Sequence, residues 1–109
     1  MPPLRLRKSK SSYTFVERDA ETVLFAEAQG QNTHLVFDNK EVFDYPHRLK
    51  KLEDMLVSSG KFSRLHRSFL VRKDAIADCC WLMAIMYTGD MIPLSRESYQ
   101  VVKKLLGKA

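Results

Sequence analysis

The sequence predicts a mostly β domain, β-rich with two or three short helices. Short runs in which apolar and polar residues alternate recur along the chain, and turn-forming residues separate several of them. Two segments carry the spacing of a helix with one apolar face. The 109 residues, 45% apolar and 28% charged, suit one globular domain with a single modest core rather than a disordered chain.

Residues 1–12 (MPPLRLRKSKSS) combine two prolines with clustered bases and serines, without a period that would bury a face. They read as a flexible basic linker or arm, and the domain proper is expected over 13–109. Tyr13 and Phe15, then Val23 and Phe25, then Leu35 and Phe37 alternate with polar neighbours as half-buried strands do. Gly30 and the Asp38-Asn39-Lys40 group mark turns, and Glu41 to Tyr45 gives a further short strand. Pro46 fits the first position of a helix, where its missing N–H costs nothing. Leu49, Leu52 and Leu56, with Met55 beside them, give that helix its apolar stripe, and Gly60 closes it. Phe62 to Val71 is an extended stretch anchored by Phe62, Leu65, Phe69 and Val71. Cys79 to Tyr87 (CCWLMAIMY) reads as one strand without alternation, buried on both faces or used at an interface. Thr88-Gly89-Asp90 turns the chain into Met91–Leu94 as a hairpin. Ser95 caps a closing helix with Tyr99, Val102 and Leu105 or Leu106 on its stripe and Gly107 at its end. The pattern contains no internal repeat and does not describe a helix-turn-helix.

Lys and Arg number 18 against 13 Asp and Glu, a net charge of +5, but the excess is uneven. Residues 13–45 hold seven acids against Arg18 and Lys40, whereas 46–73 hold eight bases against Glu53 and Asp54. Polarity of this kind, more than the total, points to a polyanionic partner on one side of the molecule. The longest apolar run is nine residues, less than half of a membrane span, and no apolar stretch follows the basic N-terminus as in a signal peptide. A cytoplasmic protein without membrane contact is expected.

Catalytic and metal chemistry lack a framework. The four glycines are isolated at turn-like places, so no phosphate-cradling loop occurs. His34, His47 and His66 lie on different elements, and no pair of carboxylates is placed for acid–base work. Cys79 and Cys80 are adjacent, a spacing that points two thiols to opposite faces of a strand, and they read as buried free cysteines. No enzyme activity, cofactor or metal is expected.

The segment that carries a signal is Lys61 to Lys73, KFSRLHRSFLVRK. Its apolar anchors are interleaved with Arg64, His66, Arg67 and Ser68, all able to donate to phosphate or base edges. Pro93-Leu94-Ser95-Arg96 places a further arginine at the mouth of the last helix. The polar loop Gln29-Gly30-Gln31-Asn32-Thr33 adds amides able to read an adenine edge.

Taken in order, EAQGQ (Glu27 to Gln31), FSRLHRSFLV (Phe62 to Val71) and IPLSRESY (Ile92 to Tyr99) resemble the LytTR family of bacterial DNA-binding domains. The resemblance runs from about Tyr13 to Leu106. It implies an elongated arrangement of small antiparallel sheets whose inter-strand loops enter successive major grooves of bent double-stranded DNA. It further implies that Arg67 and Arg96 read bases, together with a residue among Gln31, Asn32 and Thr33. His66, Ser68 and Ser95 would position the backbone or order the loops, and Lys61 and Arg64 would meet phosphates. Promoter repeats, a homodimer on DNA, and a receiver or sensor domain in a longer parent protein are the partners it implies. Two places depart from the family pattern: Arg72 stands where many members carry asparagine, and CCWLMAIMY is more continuously apolar. The function expected is sequence-specific DNA binding by a transcriptional regulator's output domain. The alternative is a protein-interaction or antagonist module of the same fold that associates through residues 79–87.

Overall fold

The computed structural model describes residues 3–11 and 13–108. It is an elongated body, 48 × 27 × 24 Å, of ten short strands in three antiparallel sheets with two helices. Strands β1 (Leu4–Arg7) and β2 (Phe15–Arg18) form an N-terminal hairpin. The central sheet holds β3 (Val23–Gln29), β4 (Asn32–Phe37), β5 (Val42–Tyr45), β6 (Phe62–His66) and β7 (Phe69–Arg72), in the order β5-β4-β3-β7-β6. Strands β8 (Ile76–Cys80), β9 (Met83–Met86) and β10 (Met91–Pro93) make the third sheet. Helix α1 (Leu49–Leu56) joins β5 to β6, and α2 (Arg96–Leu105) follows β10.

β3 divides two apolar cores. Its register against β4 shifts between Val23 and Phe25, so the side chains do not simply alternate. Val23 and Ala26 join Leu35, Phe37 and the α1 stripe of Leu49, Leu52 and Leu56. Leu24 and Phe25 instead join Leu65, Val71, Met86, Ile92 and Val102 under the third sheet and α2. All four are buried.

The helices end as their residues dictate. Gly60, at φ +68, takes the left-handed conformation that closes the short 3-10 turn after α1. The Ser95 hydroxyl accepts the Ser98 N–H at 3.1 Å and caps α2. Val102 is the buried residue of the α2 stripe, Tyr99 and Leu106 pack beside it, and Leu105 faces solvent.

Several expectations need correction. The N-terminal segment is not wholly a loose arm: Leu4 and Leu6 alternate with Arg5 and Arg7, and both leucines sit in the first core. Two apolar residues are too short a period to stand out among bases and prolines. Residues 1, 2 and 12 of that arm lie outside the described residues. α1 begins at Leu49 rather than Pro46, because β5 runs to Tyr45 and Pro46, lacking an N–H, ends the strand.

The stretch 62–71 is a hairpin turning at Arg67-Ser68, and 79–87 is another turning at Trp81-Leu82. Neither turn contains glycine. Leu82 adopts φ +59, a conformation costing roughly 1–2 kcal/mol for a residue with a Cβ. The Leu94 N–H, donating to the Leu82 carbonyl at 2.9 Å, ties that turn to the chain before α2. Within this hairpin Ala84 and Met86 are buried while Trp81 and Tyr87 are exposed, so no continuous apolar strand forms. The cysteines are free but not both buried: Cys79 packs on the second core and Cys80 faces solvent.

Leu6 is fully buried, so truncating it removes contacts that the first core cannot replace. Leu6→Ala is expected to lower unfolding free energy by about 2–5 kcal/mol in urea titrations followed by circular dichroism. An unchanged midpoint would return β1 to the status of a loose arm.

Candidate nucleic-acid interface

Strand direction gathers the loops at one end. β3 and β7 are neighbours running antiparallel, with Glu27 opposite Phe69. The β3–β4 turn (Gly30-Gln31) and the β6–β7 turn (Arg67-Ser68) therefore lie side by side, and the Ala28 N–H donates to the Ser68 carbonyl at 2.8 Å. The Ser95 N–H donates to the Leu65 carbonyl at 3.3 Å, which brings the start of α2 beside β6. Through Leu82 and Leu94 the β8–β9 turn joins the same row.

Arg67 occupies the second turn and is exposed. Its carbonyl accepts from Arg64 Nε at 3.2 Å and Nη2 at 2.6 Å, while Arg64 Nη1 bonds Glu53 of α1 at 2.9 Å. His66 Nδ1 accepts the Ser68 N–H at 3.1 Å, and its ring meets Phe69 edge-on with centroids 5.7 Å apart. The turn is thus held from both sides by Arg64 and His66. The Arg67 guanidinium forms no hydrogen bond or ion pair among the described residues.

Arg96, in the first turn of α2, is likewise exposed. Its guanidinium carbon lies 5.9 Å from the centroid of the Trp81 ring, which stands edge-on to Tyr99 at 5.2 Å. A cation over an indole face is attracted by the ring quadrupole, and the contact limits where the guanidinium can swing. Ser95 acts here as the helix cap, with its hydroxyl also 2.9 Å from that of Ser98.

The remaining expected site residues divide. Gln31 and Asn32 are exposed beside the first turn, and Gln31 Oε1 accepts from Arg48 Nε at 3.2 Å. Thr33 is withdrawn: it is 1% exposed and its hydroxyl donates to the His47 carbonyl at 2.7 Å, so it cannot reach a base edge. Arg64 does not face outward as a phosphate partner, because its donors serve Glu53 and the Arg67 carbonyl. Lys61 lies at the opposite end of β6, about 16 Å from His66 at strand rise, and its ammonium faces Glu21 at 3.5 Å. Arg72, which departs from the family pattern, is also structural: it pairs with Asp74 at 2.7 Å and donates to the carbonyls of Glu21 and Val23.

Sequence reasoning missed Arg48 and Trp81. Arg48 was one base among eight in its segment, and Trp81 was hidden inside an apolar run. The detectable signal was a large amphipathic aromatic in the middle of that run, where a turn could expose it.

A groove of about 430 Å³, lined by Leu24, Val36, Val42, Lys40 and Asp90 among others, lies at the far end of β4 from these turns. No three His, Cys, Asp or Glu side chains converge as a metal site among the described residues. No described helix is long and apolar enough to cross a membrane.

Charge around His47 is one-sided. Partial burial first, then Lys51, Arg7 and Lys10, hold its pKa below the ordinary 6.5. The neutral ring is favoured in the fold, so this contribution to stability is complete above the unfolded pKa and declines as pH falls below it. Lys51→Gln is expected to move the His47 titration midpoint upward in NMR. A midpoint that stays put would mean Lys51 does not face the ring.

The family model of the LytTr DNA-binding domain matches residues 14–107. Comparison with curated proteins finds no match. One similar solved structure is the LytTr DNA-binding domain of a Bacillus cereus protein described as a methyl-accepting/DNA response regulator. The two folds agree with a TM-score of 0.70 over 96% of both chains at 21% sequence identity, a likeness of fold. Since the family model spans everything from just before β2 to just beyond α2, the chain belongs to the LytTr DNA-binding domain family.

Proposed function

We propose that this domain binds double-stranded DNA sequence-specifically, as the output module of a bacterial response regulator, by presenting its row of turns to the major groove. The supporting observation is the pair of exposed guanidinium groups of Arg67 and Arg96 on neighbouring turns, neither with an acidic partner among the described residues. Arginine matches the O6 and N7 acceptors of guanine with two parallel bonds, and each such pair discriminates by about 1–3 kcal/mol. Preorganisation favours this use. A loop held by Arg64 and His66, and a guanidinium resting on Trp81, lose less conformational freedom on binding than free arginines do. Asn32 and the amide of Gln31 complete the row as further readers, with Arg48 orienting Gln31.

In this reading His66, Ser68 and Ser95 order the loops, and a receiver domain belongs to the parent protein. The repeats of a promoter site would be met by two copies.

Selection from random duplex DNA with this chain is expected to enrich one sequence, and no enrichment would sink the proposal. On the enriched duplex, Arg67→Ala and Arg96→Ala should each weaken binding by roughly 1–3 kcal/mol while largely sparing random duplex. Equal losses on both duplexes would assign these arginines to phosphates instead.

A further inference from the structure

Two groups of cations stand out at the two ends of the central sheet. At the end away from the turns, Arg18 pairs with Glu41 at 2.7 Å, Lys61 faces Glu21 and Arg72 pairs with Asp74. At the turn end a second set has no acidic partner among the described residues: Arg7, Lys10, Arg48 and Lys51. These four come from three separate pieces of chain, the tip of the N-terminal hairpin, the segment after β5 and helix α1.

They converge on His47. Arg7 follows Leu6, which is buried in the same core as Tyr45 and Leu49. The Tyr45 and His47 rings meet edge-on at 5.1 Å. Arg7 acts on both of these rings electrostatically, and Lys10 and Lys51 act on His47. Arg7 also lies 5.8 Å from the Phe15 ring centroid and 5.9 Å from that of Tyr13, so apolar rings rather than carboxylates accompany its charge. Arg48 links this group to the first turn through Gln31.

Gathering like charges is unfavourable, and a merely solvated surface would intersperse acids among them. Here the nearby acids are turned elsewhere: Asp44 faces His34 at 3.0 Å and Asp54 faces Lys50 at 3.0 Å. The cluster also sits in line with the turns. Across the central sheet the order is Arg48 after β5, Gln31 and Asn32 at β4, then Arg67 between β6 and β7.

We infer that the tip of the N-terminal hairpin, with Arg48 and Lys51, is a phosphate-binding surface that grips the backbone of the same duplex beside the first turn. The inference rests on the reading of the domain as a DNA binder. The hairpin thereby lengthens the contact with DNA without reading sequence. β1 and Lys10 lie ahead of the family match, which begins at residue 14, so the hairpin's share of this surface lies outside the family model, while Arg48 and Lys51 lie within it.

The test uses salt titrations of the full chain on a random-sequence duplex of about 30 base pairs, where base reading contributes nothing. Lys10 and Lys51 are exposed and lack ring contacts, so Lys10→Gln/Lys51→Gln should leave the fold intact. Each phosphate contact contributes roughly 0.9 to the slope of log affinity against log salt, so the double variant should lose nearly two. Its preference for the enriched duplex over the random one should remain that of the wild type. A second measurement follows His47 by NMR, whose midpoint should rise when duplex is added, as phosphates offset the surrounding charge. An unchanged salt slope in a folded double variant would overturn the inference while leaving base reading intact. A wild-type chain that binds duplex without sequence preference would instead overturn the base-reading proposal. A chain that binds no duplex would overturn both.

Discussion

Val23 and Ala26 on one side of β3, and Leu24 and Phe25 on the other, are all removed from solvent, so this strand needs a cover on each face. Burying a side chain of this size is worth about 1.5–3 kcal/mol for the larger members, which makes the double cover a strong constraint on a small domain. The first cover is α1 with β1, and the second is the β8–β10 sheet with α2. Neither cover is a large sheet or a long helix. The outcome is two small cores on either side of one sheet, and an elongated body rather than a sphere.

The same strand sorts the charges. β3 and β4 run in opposite directions, so residues just before β3 and just after β4 share one end, and Asp19, Glu21, Asp38 and Glu41 all fall there. The turns after β3 and β6, and the start of α2, fall at the other end with Arg67 and Arg96. A chain with a modest net charge thereby sets several carboxylates at one end and two exposed arginines at the other. An uneven spread of charge of this kind favours the approach of a polyanion at the arginine end more than bulk attraction does. Of the bases at the carboxylate end, Arg18, Lys61 and Arg72 are engaged in ion pairs and carbonyl contacts.

Binding surfaces made of turns face an entropic difficulty, since loops are where chains are loosest. This molecule meets it with short connections and local hydrogen bonds. The Arg67 turn spans two residues, its carbonyl is held by Arg64, and Arg64 is itself fixed by Glu53. The Leu82 turn is strained but is tied to Leu94, and it presents Trp81 to Arg96. The exposed arginines therefore stand on supports assembled from α1, β6 and the third sheet, which couples the surface to the folding of both cores.

Local chemistry settles much of this in advance. The alternation around Leu35 and Phe37, the stripe Leu49-Leu52-Leu56, the Ser95 cap and the glycine after each helix are properties of neighbouring residues and are readable one segment at a time. The alternation expected at Val23 and Phe25 instead gives way to a bulge that sends them into different cores. The short period Leu4-Leu6 is too brief to read, and the turns at Arg67-Ser68 and Trp81-Leu82 contain neither glycine nor proline. The polar roles were less legible still. Arg64 and Arg67 are the same residue type three positions apart, yet one is spent inside the molecule and the other is free. What separates them is Glu53 on α1, brought beside β6 only when α1 packs against the central sheet to which β6 belongs. Thr33 and Lys61 are likewise removed from the site by partners distant in sequence, His47 and Glu21. Which end of a strand a charge occupies, and whether a partner reaches it, depends on strand pairing across the whole domain. Tertiary structure alone therefore decides which arginines remain available.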